Sequence, residues 1–157
     1  MQKFLKNTSA KNLQKMKKRF FLSWLAVYAI NSISGYFVHD ILLHKTYMEL
    51  MPTLHSENIK SKIWAFIISS IVSTFIFTLV YTKWKKSGTI GEGTLYGLFL
   101  GAWIGIQMSL NTYASTGLIP FSLAIQWLVY ALIQEAMAGA LLAFVYNYNG
   151  KSFIEKK

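Results

Sequence analysis

Residues 63–82 read IWAFIISSIVSTFIFTLVYT, twenty positions with no charged side chain, no proline and no glycine. A bilayer's hydrocarbon core is about 30 Å thick and an α-helix rises about 1.5 Å per residue, so a run of this length predicts one membrane-spanning helix. Three more runs share the pattern. Residues 20–39 read FFLSWLAVYAINSISGYFVH, residues 93–112 read GTLYGLFLGAWIGIQMSLNT, and a longer run over 119–146 is interrupted by the single acid Glu135. Strands of a membrane barrel would alternate and stop after about ten residues. The expected fold is therefore all-α, a polytopic bundle of four transmembrane helices.

Composition agrees with that frame. The chain has 157 residues, 54% of them apolar and 16% aromatic, and this surplus of apolar surface exceeds what a soluble core of that size would hide. Its mean hydropathy is +0.36, in keeping with lipid contact. No repeat at solenoid periods and no low-complexity tract is present. The absence of cysteine excludes disulfide frameworks, thiolate metal sites and thiol nucleophiles.

The formal net charge of +10 could point to nucleic acid, but the cations sit in short clusters flanking the apolar runs. That is the signature of membrane orientation, and nucleic acid is not an expected partner. Lys3, Lys6, Lys11, Lys15, Lys17, Lys18 and Arg19 precede the first run. Lys83, Lys85 and Lys86 follow the second, and Lys151, Lys156 and Lys157 follow the fourth. In the loop after the first run, Asp40, Glu49 and Glu57 balance Lys45, Lys60 and Lys62, and the loop after the third run carries no cation. Both termini are thus expected in the cytoplasm. The layout is a basic segment 1–19, a transmembrane domain 20–147 and a basic tail 148–157. Trp24, Tyr81, Trp84, Tyr113, Trp127 and Tyr146, near the run ends, suit interfacial belts.

The stretch from Met16, MKKRFFLSWLAVYAINSISG, also resembles a signal peptide, with Met16 as an alternative start. The apolar run continues past Gly35 through Tyr36, Phe37 and Val38, which favours a retained span. Residues 1–18, with Phe4, Leu5, Leu13 and Met16 among lysines, read either as an amphipathic helix lying on anionic lipid or as a frayed tail.

Two features of the runs invite a functional reading. Glycines at 93, 97, 101 and 105, with Ser109 next in the series, leave a groove free of side chains along the third helix. Such a face lets a second helix approach closely in lipid. Its expected partner is the fourth helix, through Ala131, Glu135, Ala138, Gly139 and Leu142, or the same helix of a second copy. Glu135 lies mid-helix, where an ionised carboxylate costs several kcal/mol unless hydrated, paired or protonated. No lysine, arginine or other acid lies inside another span to pair with it. The side chain should face the bundle interior, either protonated or reached by water or a bound cation.

Asn31, Gly35 and His39 on the first helix, Gln107 and Asn111 on the third, and Gln126 on the fourth lie toward the outer half. Together they could line a polar vestibule with Glu135 at its floor. Ser70, Thr74 and Thr78 form a hydroxyl stripe on the second helix, although such residues commonly bond their own preceding turn. Finally, helical spacing would place Asp40 and His44 on one face, with His39 adjacent and His55 returning from the loop. These could be ligands for a zinc-like or iron-like ion. The alternative is that the histidines sit at the interface beside the helix C-terminus. No cofactor is otherwise indicated, and the motifs of soluble enzymes are absent.

In its helix order, the glycine-rich GEGTLYGLFLGAWIG and the closing QEAMAGALLA, the chain resembles uncharacterised bacterial four-helix inner-membrane proteins of unknown function, over about Phe20 to Asn147. The resemblance implies a multi-pass protein of a bacterial inner membrane and carries no catalytic residues. Three functions stay open: binding or translocation of a proton, small cation or small solute through Glu135 in an oligomeric bundle; an accessory subunit docked by its glycine groove onto a larger membrane complex; and a membrane metal protein or enzyme using the outer histidines.

Overall fold

A computed structural model of the chain describes residues 2–50 and 59–147, with side chains described over 14–50 and 61–147. His55 and the tail 148–157 lie outside the described residues. Helix α1 (Gln2–Tyr36) runs directly into a π-helical turn (Phe37–Leu42), followed by short α2 (His44–Glu49). A 3-10 turn (Ile59–Lys62) leads into α3 (Ile63–Trp84), then α4 (Ile90–Thr116) and α5 (Phe121–Asn147). Among the described residues there is no strand.

Four helical stretches are long and apolar enough to cross a membrane: Gln14–Leu42, Ile63–Trp84, Ile90–Thr116 and Phe121–Asn147. This is the architecture of a multi-pass membrane protein. Each stretch overruns at least one end of the run read from sequence, because the backbone ladder continues through flanking polar residues that hydropathy does not count. The N-terminal residues differ more. They continue α1 as one unbroken helix rather than forming a separate helix lying on the surface.

Large apolar side chains cover the outside. Trp64, Phe66, Phe99 and Trp103 are each more than 60% exposed, an arrangement that water would not tolerate and lipid does. Among the described residues, the buried apolar side chains fall into two clusters. One joins Val27, Phe77, Tyr81, Tyr96 and Leu142 in the half of the bundle that holds both the α3–α4 turn and the end of α5. The other joins Val38, Leu43, Ile119 and Leu123 at the opposite end.

The glycine stripe explains the tightest contact. Gly93, Gly97, Gly101, Gly105 and Ser109 are all buried, and α5 fills the groove they leave. A methyl group on Gly97 would fall on the Glu135 backbone carbonyl, and one on Gly139 would fall on the Gly93 carbonyl. The two backbones are therefore as close as helices without side chains allow. Of the two partners expected for the groove, the structure places α5 of the same chain in it.

Helix α1 lies against α5 and α3, whereas α3 and α4 scarcely touch. They are linked by Tyr96, fully buried, whose hydroxyl donates to the Phe77 carbonyl at 2.5 Å, and by Trp84, whose ring meets those of Tyr96 and Phe99. The turn between them is built from capping chemistry. Thr89 caps α4 by accepting from the Glu92 backbone N–H at 3.2 Å. The Glu92 carboxylate reaches back to the N–H groups of Lys86, Ser87 and Gly88. Gly88 takes the positive φ of 71° that this turn requires, and Gly117, at φ 60°, ends α4 in the left-handed conformation.

Candidate functional site

Because α3 and α4 diverge above Tyr96, a cleft of about 320 Å³ opens between them near mid-height. Ser73, Thr74, Ile76, Phe77 and Val80 form its α3 wall, and Leu100, Trp103 and Ile104 form its α4 wall. Asn31 from α1 and Glu135 from α5 supply its floor. These two were singled out from sequence on separate helices, and the antiparallel packing of α1 on α5 brings them together. The Asn31 side-chain amide approaches Glu135 Oε1 at 3.5 Å, a long and weak hydrogen bond. Glu135 Oε2 and Asn31 Oδ1 are buried without a hydrogen-bond partner among the described residues. Both are acceptors, and the donor the floor does hold, the Asn31 amide, is directed at Oε1.

The other polar candidates disperse. Gln107 and Asn111 are exposed on α4 and line a shallow surface hollow with Trp103, Ile104 and Met108. Gln126 is half-buried in α5, and nine residues of helix, about 13 Å, separate it from Glu135. The six residues expected to line a vestibule thus divide, and of them only Asn31 reaches the carboxyl. Gly35 and His39 lie further along α1 and its π-turn, with His39 in a small hollow of about 140 Å³ shared with Trp127 and Gln134. On α3, Thr74 and Thr78 donate to carbonyls one turn back, at 2.7 and 2.9 Å. Their hydroxyls serve packing, and Thr74 also accepts from the Trp24 indole at 3.2 Å.

His39 Nδ1 has a partner within the chain. Tyr47 Oη sits 2.7 Å from His39 Nδ1 and 2.7 Å from Trp127 Nε1. An indole N–H can only donate, so Tyr47 accepts from Trp127; toward His39 the phenol either donates to a bare Nδ1 or accepts from an Nδ1–H, according to the imidazole tautomer. The His39 and Tyr47 rings lie nearly parallel, 8° apart, at 5.9 Å. Burial raises the Tyr47 phenol above its ordinary range, opposed by the Trp127 bond and reinforced by Asp40. Among the described residues no three histidine, aspartate or glutamate side chains group closely enough to hold a metal ion. Asp40 and His44 are exposed beside this chain of bonds.

Sequence reading missed Tyr47, Trp127 as its donor, and the Gln134–Ser34 bond of 3.1 Å that continues the polar seam between α1 and α5. Tyr47 lies outside the four apolar runs, so no span pattern marks it. At the turn end of the bundle, Lys85 donates to Asn147 at 3.2 Å and stands 4.5 Å above the Tyr146 ring. Burial and the nearby Arg19 lower the pKa of its ammonium, with Glu92 acting in the opposite sense.

No family model matches the chain, and neither the curated proteins nor the solved structures contain a detectable match.

Proposed function

We propose that the chain is a membrane-embedded binding protein whose acceptor is the Glu135 carboxyl, taking up a proton or a small cation at the floor of the α3–α4 cleft. The observation that carries this reading is the pair of unpartnered acceptors, Glu135 Oε2 and Asn31 Oδ1, buried at mid-height. Leaving them bare is unfavourable by about 1–3 kcal/mol each, more for a charged group, so an occupant that donates hydrogen bonds is strongly favoured. A proton on Oε2 could donate to Asn31 Oδ1 while Asn31 donates to Oε1, completing a ring of two bonds. A small cation would satisfy the same two oxygens.

The remaining placement follows the charge pattern. Both termini lie in the cytoplasm, the lysine-rich α3–α4 turn lies with them, and the membrane is a bacterial inner membrane, as the resemblance in helix order implies. One chain supplies both residues of the floor, so the binding unit is a single copy and self-association is not required for it.

Infrared difference spectroscopy on protein in lipid nanodiscs tests the reading directly. A protonated-carboxyl band that changes with pH or on adding an alkali cation is expected in the native chain and should be missing in Glu135→Gln. An unchanged spectrum across pH and cation, or a band that survives the substitution, would overturn it.

A further inference from the structure

The cleft opens sideways, and this bears on what else can reach Glu135. Its mouth is formed by Ile76, Val80, Trp103 and Ile104, which are 52%, 40%, 61% and 45% exposed. They belong to the apolar outer surface, with Ile76, Trp103 and Ile104 near the middle of α3 and α4 and Val80 about one turn from the end of α3. An ion arriving from water would have to cross that apolar rim. A molecule already dissolved in the bilayer would meet it directly.

The chemistry of the floor narrows the class. Both free atoms are oxygen acceptors, and one belongs to a carboxyl group, so the matching head group offers at least two N–H donors and a positive charge. The walls are apolar apart from Ser73 and Thr74, and the Thr74 hydroxyl is already engaged with Ser70 and Trp24. The matching body is therefore apolar, with room for a head and the first part of a chain in about 320 Å³ and an open side through which the rest can trail into lipid.

We propose that the cleft is a lateral binding site for a lipophilic primary amine, whose ammonium group sits between Glu135 Oε2 and Asn31 Oδ1 and whose hydrocarbon leaves between α3 and α4. This rests on the assignment of Glu135 as the acceptor and adds the class of ligand and its route of entry.

The test uses the full chain in nanodiscs and decylamine as the probe, with decyltrimethylammonium, which carries the charge and no N–H, and decanol, which carries neither charge nor a second donor, as comparators. Binding is read by the fluorescence of Trp103 at the cleft mouth, with Trp103→Phe identifying its share of the signal. Decylamine should bind saturably and at least tenfold more tightly than either comparator. Glu135→Gln should weaken it tenfold or more, and Asn31→Leu by a smaller factor. Ile104→Trp, which obstructs the mouth, should also abolish binding. Equal binding of all three probes, or binding indifferent to Glu135→Gln in a variant that retains native helicity, would overturn the proposal. If the carboxyl band responds to pH but decylamine does not bind, the lateral amine site fails and proton binding stands. If neither responds, both fail.

Discussion

The two faces of α4 form a contrast. Toward α5 it presents glycine every fourth residue, and the partner backbone comes in until carbonyls lie where β-carbons would otherwise be. Toward α3 it presents Leu100, Trp103 and Ile104, and the helices stand apart with a cleft between them. In water both interfaces would be drawn shut by the hydrophobic effect. In lipid that drive is missing, and a helix pair closes only where shape and hydrogen bonding reward it. One helix thus carries a closed seam and an open one, decided by side-chain size alone.

The sharpest way to break the contrast is to put a methyl on the closed side. Gly97→Ala places a carbon on the Glu135 carbonyl, with backbone rather than a flexible side chain in the way. Separating α4 from α5 should cost about 3 kcal/mol or more, at the upper end of overpacking effects. Gly91→Ala, on the same helix with nothing within 4 Å of the added carbon, should be neutral or slightly stabilising. Reversible unfolding in a denaturing-detergent titration compares the two, and equal midpoints would refute the close-packed seam.

A second substitution tests what holds the open side together. Tyr96→Phe removes the hydroxyl that donates to the Phe77 carbonyl and leaves the ring against Phe77 and Tyr81. The expected loss is about 1 kcal/mol, as for other interhelical hydrogen bonds. Spin labels on exposed Ile76 and Ile104 should report a wider distance distribution. An unchanged distribution would mean that Tyr96 does not set the spacing of the cleft.

A smaller effect belongs to the far end. Tyr47→Phe removes the hydroxyl shared by His39 Nδ1 and Trp127 Nε1. The α2 segment should loosen from α5 by about 0.5–1 kcal/mol, seen as faster hydrogen exchange over His44–Glu49. Equal exchange in the variant and the native chain would mean that Tyr47 does not tether α2.

Much of this was legible in the residues. Four spans follow from the apolar run lengths, and the glycine series marks a face, with either the fourth helix or a second copy as its partner; the structure sets Ala131, Gly139 and Ala143 of α5 against it. The functional pointer at Glu135 was legible too, because an acid in mid-span is conspicuous against an apolar background. Its pairing with Asn31 was not: both lie on their own helices at unremarkable spacing, and only the relative rotation of α1 and α5 joins them. The scattering of Gln107 and Asn111 to the outer surface has the same cause. A helical pattern gives residues a shared face but does not say which neighbour that face meets. Nor does any local signal show that α3 and α4 part above Tyr96, since absence of contact leaves no mark in a sequence.

The closed seam also has a consequence in time. Helix α4 emerges from the ribosome before α5, and at about 5–20 residues per second the 27 residues of α5 take about 1–5 s to follow. For that interval the glycine groove is bare, a surface that any small-faced helix nearby could occupy. The short Gly117–Pro120 connection keeps the correct partner tethered and wins that competition by proximity. A chain halted before Phe121 would lack it and would keep the groove bare.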